Sequence, residues 1–244
     1  MMGEWKGLIV MQLVPIAYIE TEFTEKFGIP RQSGLVSGLQ SVIRFAPGFG
    51  SADALRGLAD FTHLWLIWGF SQAEGWTPTV RPPRLGGNER CGVFATRSPY
   101  RPNPLGLSAV KIERIDGTDI HVSGADLLDG TPIYDIKPYL PYADSIPDAT
   151  GGFADSAPGA VLRVQIADEL AARLPPDKRA VLVQVLALDP RPSYQDDPGR
   201  VYGFPFAGYE IKFQVTDSVL TVLDINTILY CSNSPGRADP ATYK

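Results

Sequence analysis

One segment of the chain combines residues that bind charged or planar ligands with residues that stiffen the backbone. Residues 95–108 read ATRSPYRPNPLGLS and interleave Arg97 and Arg101 with Tyr100, Asn103 and three prolines. Proline fixes φ and lacks a backbone donor, so this composition predicts a stiff loop instead of a helix or a central strand. Arginine binds carboxylate and phosphate oxygens through paired hydrogen bonds. The segment is therefore a candidate ligand-binding loop.

This loop extends a local concentration of positive charge. Five arginines fall between residues 81 and 101, with Glu89 as the one acidic residue among them; they are Arg81, Arg84, Arg90, Arg97 and Arg101. The 244-residue chain has a net charge of -5, so the cluster reverses the overall sign. That balance argues against non-specific coating of nucleic acid, but it permits a local anion site. A solvated basic surface is the alternative interpretation.

A second group of candidate residues is acidic. Asp126 and Asp129 lie in the turn-like segment DLLDGTP, where aspartates commonly bond to their own backbone. Asp135 lies in the apolar segment IYDIK, where an unpaired carboxylate is costly. We therefore expect Asp135 to be paired, with Lys137 or an arginine, or to be functional.

Other residues exclude several classes of site. The two histidines, His63 and His121, lie in strand-like segments and predict neither a Ser-His-Asp arrangement nor a metal site. No glycine motif follows a strand that opens onto a helix, which excludes a dinucleotide fingerprint or a P-loop. Two cysteines cannot form a disulfide scaffold, and no apolar run is long enough for a bilayer. These features predict a soluble, cytoplasmic protein without a resident metal.

The distribution of glycine and proline predicts a mainly β main body. Strands are expected at residues 8–19, 64–70, 107–115, 120–122 and 132–139. The Asp116-Gly117 pair predicts a tight hairpin, and residues 53–61 are a helix candidate that Ser51 or Asp53 can cap.

The pattern changes after a loop predicted at residues 145–159. An apolar stripe at helical spacing covers residues 180–186, and strands follow at 209–215 and 219–225. We therefore predict a main domain over 1–155 and a small C-terminal α+β domain over 156–244, with a tail after Ile225 that frays.

Long motifs closely resemble the TsaA-like family. They are IPRQSGL at 29–35, THLW at 62–65, TVRPPRLGGN at 79–88, GVFATRSPYRPNPLG at 92–106 and DGTPIYDIKPYLPY at 129–142. The later motif DPRPSY at 189–194 resembles the extra C-terminal unit of the family's bacterial tRNA methyltransferases, the TrmO group. Together the motifs place the resemblance over roughly residues 10–225.

The resemblance implies a β-barrel catalytic domain, a homodimer and S-adenosylmethionine as the methyl donor. It implies methylation of N6 of threonylcarbamoyl-adenosine, at position 37 beside the anticodon of a threonine tRNA. The implied donor pocket comprises Arg31, Gln32, Ser33, Ser71, Gln72, Arg97, Leu107, Asp126, Leu127, Leu128 and Asp129.

This chemistry assigns expected roles to further residues. The N6 lone pair is delocalised, so a hydrogen-bond acceptor is needed for its proton: Asp135 first, with Asn103 as an amide alternative. Arg101 or Lys137 is expected to meet the threonine carboxylate. Further candidates are Tyr100 or Tyr139 for base stacking and Arg81, Arg84 and Arg191 for phosphates. The competing interpretations are a barrel that binds the donor without catalysis and an RNA-binding adaptor.

Overall fold

The computed structural model describes residues 11–85, 88–155, 162–191, 197 and 199–228, without the side chain of Arg84. The described residues contain twelve strands and three α-helices. The strands are β1 (Ala17–Glu20), β2 (Gln40–Phe45), β3 (His63–Gly69), β4 (Thr79–Val80), β5 (Cys91–Gly92), β6 (Leu105–Asp116), β7 (Asp119–Ser123), β8 (Pro132–Pro138), β9 (Arg163–Gln165), β10 (Val201–Phe206), β11 (Tyr209–Thr216) and β12 (Val219–Thr227). The helices are α1 (Pro141–Asp144), α2 (Asp168–Ala171) and α3 (Pro176–Ala187).

Six strands close into a barrel in the order β1-β2-β7-β6-β3-β8. Every neighbouring pair is antiparallel, and closure leaves no unpaired edge. Alternate residues point inward, as Leu64, Leu66 and Trp68 of β3 do, and they form one buried core. The mainly β fold and the predicted barrel are confirmed.

The pairing of β3 with β8 contains a register shift that determines which way Asp135 faces. Trp68 pairs with Ile133, both inward-facing, whereas the next residue of β3, Ile67, pairs with Asp135. The irregularity adds one residue to β8, so the side-chain alternation reverses there. Asp135 and Lys137 consequently lie on the outer face of the barrel.

The hairpin between β6 and β7 is confirmed, with its turn one residue later than expected. Asp116 pairs with Asp119, so the two loop residues are Gly117 and Thr118. Gly117 has φ of 59°, the left-handed conformation that glycine adopts without steric cost.

The C-terminal part forms a separate sheet packed on α3, as the predicted α+β unit requires. The sheet order is β10-β11-β12-β9, with β9 parallel to β12. The buried stripe of α3 is Val181, Leu182, Val185 and Leu186. Phe23, Val36 and Leu39, from the segment between β1 and β2, share this core. The C-terminal core therefore holds a segment of the N-terminal part in place.

Two predicted elements differ in the structure. Residues 53–61 form turns and a short 3₁₀ segment, Leu58–Asp60, instead of an α-helix, because Gly57 adopts a φ of 84° there. The predicted cap holds locally, since Ser51 Oγ accepts a bond from the Ala54 backbone. The described part of the strand expected at residues 8–19 starts at residue 11. Within it, residues 11–16 are not strand and Ala17–Ile19 are, because Pro15 has no backbone donor.

Several expectations concern residues outside the described part of the chain. The domain boundary at residues 155 and 156 adjoins one such gap and stays a prediction. The tail expected after Ile225 starts with two residues that belong to β12, and beyond residue 228 it lies outside the described part, together with Cys231. Cys91 is a free thiol. Among the described residues, no helix has the length and apolarity to cross a membrane. The same residues contain no group of three His, Cys, Asp or Glu side chains that could hold a metal.

Candidate functional site

A cavity of about 520 Å³ opens at the end of the barrel where β3 ends and β6 begins. Loops 26–32, 71–73, 96–101 and 126–131 complete its wall. Its volume lies in the usual range of cofactor pockets. Eight of the eleven predicted donor-binding residues line it: Arg31, Gln32, Ser71, Gln72, Arg97, Leu107, Asp126 and Leu128.

The remaining three predicted donor residues lie beside the pocket and not in its lining. Ser33 contacts the Asp126 carboxylate through its backbone N–H. Leu127 is buried in the barrel core. Asp129 accepts a bond at 3.0 Å from the backbone N–H of Thr21, which lies far away in sequence and outside the turn to which the aspartate was expected to bond.

Asp126 is a half-buried carboxylate in the pocket wall. Ser108 Oγ donates to Asp126 Oδ1 at 2.6 Å, and Trp68 Nε1 donates to Ser108 Oγ at 3.0 Å. Removal from water raises the pKa of Asp126, while the Ser108 bond and the nearby positive charge of Arg97 oppose that rise. Sequence reasoning missed Trp68 and Ser108, although their inward positions on adjacent strands follow from alternation.

The packing of Trp68 fixes the geometry of this wall. A Cβ added to Gly106 would lie 2.2 Å from the indole ring, so only glycine fits at that position of β6. The ring also contacts Phe70, with 4.3 Å between ring centroids. Trp68 is therefore held against β6 with its N–H on Ser108.

Arginine side chains connect the loops around the cavity. Arg97 donates to Gln32, joining loop 96–101 to loop 26–32. Arg101 donates to the backbone oxygens of Val93 (3.1 Å) and Thr96 (2.7 Å), and its guanidinium lies over the Phe94 ring. Arg101 thus stabilises its own loop while also lining the cavity. Tyr100 lines it too and is 49% exposed.

The residues predicted for acceptor chemistry are not all at this cavity. Asp135 forms an ion pair with Lys137 at 2.8 Å on the outer face of the barrel. Tyr139 packs on Trp65, at the opposite end of β3 from the cavity. Asn103 is exposed between two lining residues, Arg101 and Leu105. Within one chain, these four residues do not line the cavity.

The outer face of the barrel nevertheless continues to the cavity rim. Leu107 of β6 pairs with Ile67 of β3, which pairs with Asp135 of β8. Leu107 is 55% exposed, and Leu105 beside it is 36% exposed. Asp135 therefore lies two strands, or about 10 Å, from an exposed apolar rim residue.

A second groove of about 830 Å³ adjoins the first and shares the wall formed by Lys26, Ile29, Pro30 and Arg31. Arg81 and Arg191 line this groove. The Arg191 guanidinium donates two hydrogen bonds of 2.9 Å to the Asp189 carboxylate, which holds it in place. Arg31 donates to the Arg191 backbone oxygen, which joins the two parts of the chain. The Arg84 side chain lies outside the described part.

The chain matches two family models that together cover most of its length. The tRNA-methyltransferase O N-terminal domain matches residues 18–145, and the TrmO C-terminal domain matches residues 160–228. These matches confirm the resemblance inferred from the motifs.

Relatives and solved structures agree with these models. The tRNA (adenine(37)-N6)-methyltransferase of Escherichia coli (strain K12) is 42% identical over 221 residues, covering 85% of this chain and 94% of that protein. The protein of the same name from Eikenella corrodens is 53% identical over 161 residues, covering 64% of this chain and 91% of that one. A crystal structure of TrmO from Pseudomonas aeruginosa aligns with a TM-score of 0.75 and 36% identity, covering 90% of this chain and 98% of that one.

Proposed function

Because the chain belongs to the tRNA-methyltransferase O family, we propose that it methylates N6 of N6-threonylcarbamoyladenosine at position 37 of threonine tRNA. S-adenosylmethionine is the proposed methyl donor, and the cytoplasm is the proposed compartment. The observation that carries the proposal is the cavity at the barrel end, which is lined by eight residues predicted to bind the donor.

The proposed donor site suits a ligand with both polar and positively charged parts. Apolar Leu107 and Leu128 offer packing surface, and Gln32, Gln72 and Arg97 offer hydrogen bonds. S-adenosylmethionine carries a sulfonium and an ammonium, which the Asp126 carboxylate complements in a site shielded from water. Methyl transfer then requires the acceptor nitrogen in line, about 3–3.5 Å from the methyl carbon.

The acceptor N6 is a weak nucleophile and gains from a group that accepts its proton. Asp135 stays our first proposal for that group, with Asn103 as the amide alternative. The outer-face position of Asp135 is compatible with this role when a second copy docks on the exposed face beside Leu107. We therefore propose a homodimer in which Asp135 of one protomer acts at the cavity of its partner.

RNA recognition is proposed to involve cations and aromatic rings around the two grooves. Arg101 or Lys137 would meet the threonine carboxylate, and Tyr100 or Tyr139 would stack on the purine. Arg81, Arg84 and Arg191 would contact phosphates of the anticodon loop, which gives salt-dependent affinity. The shared wall of the two grooves supports a continuous path for the RNA backbone.

A methyl-transfer assay tests the substrate. The protein is incubated with methyl-labelled S-adenosylmethionine and threonine tRNA, prepared with and without the threonylcarbamoyl group. We expect label only in the modified tRNA, because only that base carries the carboxylate the site is proposed to recognise. Equal transfer to both tRNAs would contradict the proposed substrate while leaving the methyltransferase activity in place.

The same preparation separates the two competing functions. A barrel that only binds the donor would be thermally stabilised by S-adenosylmethionine but would transfer no methyl group to any tRNA. An RNA-binding adaptor would bind tRNA without stabilisation by the donor.

A further inference from the structure

We propose that Trp68 and Ser108 form a hydrogen-bond relay that holds Asp126 as an anion and orients it toward the methyl donor. Trp68 lines the cavity and Ser108 lies behind its wall, and in this proposal both act on the donor through Asp126, as positioning residues. The inference rests on the proposed function, because it takes the barrel-end cavity to be the donor pocket.

The direction of the relay follows from the chemistry of its groups. An indole N–H only donates, so the Ser108 oxygen accepts from Trp68 at 3.0 Å. The hydroxyl proton is then directed to Asp126 Oδ1, at 2.6 Å. Trp68 and Ser108 are 7% and 1% exposed, so water does not replace these bonds. This arrangement favours an Asp126 oxygen that accepts and does not carry a proton.

The surroundings of Asp126 make the relay necessary. Arg97 is the charged group whose field acts on Asp126, and Ser33 contributes a backbone N–H. Both of these groups lower the pKa of Asp126, but burial raises it by more. A recessed carboxylate without a full ion pair is costly, and a cationic ligand in the cavity lowers that cost. The relay therefore keeps the negative charge available to the donor's ammonium or sulfonium.

The barrel holds the relay rigidly. Trp68 lies on β3 and Ser108 on β6, and these strands pair through seven residue pairs from His63–Lys111 to Gly69–Leu105. The close approach of Gly106 to the indole fixes the ring. Removing the hydroxyl should thus change the charge state of Asp126 more than its position.

The experiment measures S-adenosylmethionine affinity by calorimetry from about pH 5 to about pH 9. Wild type should lose affinity on the acid side as Asp126 becomes protonated. In S108A the pKa of Asp126 rises, so this loss should move to higher pH, and W68F should move it in the same direction by less. In the double variant S108A/W68F the shift should equal that of S108A, because Trp68 acts through Ser108.

Two further variants control the comparison. D126N should remove the acid-side loss together with most of the affinity. S123A deletes a similar bond outside the cavity, from Ser123 Oγ to Glu113 Oε1 at 2.5 Å, and should leave the pH profile unchanged.

The outcomes separate this inference from the proposed function. If S108A lowers donor affinity equally at every pH, Ser108 has a packing role and the relay is overturned. The relay is also overturned if D126N still loses donor affinity at acid pH as wild type does. The pH midpoint is read from folded protein, and W68F supplies an independent test if S108A folds poorly. A wild type that binds no donor would instead contradict the proposed function, and the inference with it.

Discussion

At the residue level, Arg97 links two sides of the cavity. It bonds to Gln32 across the opening, and its charge acts on Asp126 in the wall. R97A should raise the Kd for S-adenosylmethionine about tenfold or more, because a hydrogen bond to a charged group contributes about 1.5–3 kcal/mol. Calorimetry at neutral pH measures this change.

The control for R97A is R114A, on the same barrel. Arg114 lies near the far end of β6, where it contacts His121 Nε2 at 3.2 Å, away from the cavity. The R114A substitution should therefore leave donor affinity unchanged. Equal losses in the two variants would mean that Arg97 acts through general charge and not through the pocket.

Residue identity predicted the cavity lining better than it predicted the acceptor residues. The motif around Arg31 and the loop around Arg97 were both predicted to bind the donor, and both line the same cavity. Asp135 could not be placed, because the irregularity in β8 reverses the alternation that starts from buried Ile133. A register shift of this kind depends on pairing with β3, which short-range sequence patterns do not reveal.

At the level of elements, the pairing of β3 with β6 makes Gly106 a sensitive position. G106A places a Cβ 2.2 Å from the Trp68 ring, within a strand pair that cannot easily separate. We expect a loss of about 1–3 kcal/mol in the free energy of unfolding, typical of overpacking. Donor affinity should also fall as Trp68 leaves Ser108. Denaturant unfolding and calorimetry measure the two effects.

A matched glycine lies nearby in the same part of the chain. Gly92 has φ of -58°, and a Cβ added there meets no atom within 4 Å. G92A should therefore leave both stability and donor affinity close to wild type. If G106A matches G92A, the close contact of Trp68 with β6 is not what fixes the cavity wall.

Elements with strong local signals were predicted most reliably. The stripe of α3 and the hairpin after Asp116 depend on neighbouring residues alone. The helix expected at residues 53–61 failed because Gly57 adopts a left-handed conformation inside it. β2 and β10 were not predicted. β2 pairs with β7, which is distant in sequence. β10 pairs with β11 across the two-residue loop Ala207-Gly208, a local signal that the sequence prediction missed.

At the level of the whole molecule, the two parts of the chain are joined through the segment that carries Arg31 and Gln32. Phe23 and Val36, on either side of these residues, are buried in the C-terminal core. Ser37 donates through its backbone N–H to Gln184 of α3 at 2.9 Å. The C-terminal unit thus supports one wall of the cavity. The predicted division of the chain between residues 155 and 156 does not account for this contact between the two parts.

The proposed homodimer can be tested by mixing two inactive variants. D135N removes the proposed proton acceptor, and R97A weakens donor binding, so at a donor concentration well below the wild-type Kd each homodimer should have little activity. If Asp135 acts at the partner's cavity, a hybrid dimer retains one complete site, with Arg97 from one protomer and Asp135 from the other. After random exchange about half of the dimers are hybrids, which predicts about a quarter of the wild-type rate of methyl transfer.

The control mixes two wild-type preparations that carry different affinity tags, and the fraction of dimers that carry both tags gives the yield of subunit exchange. A mixture of D135N and R97A that stays inactive, despite measured exchange, would place Asp135 and Arg97 in the same chain's site or remove Asp135 from the reaction. Full activity of D135N alone would exclude Asp135 as the acceptor. Restored activity would instead explain why an outer-face carboxylate, two strands from the exposed rim at Leu107, can take part in chemistry at a cavity that it does not line in its own chain.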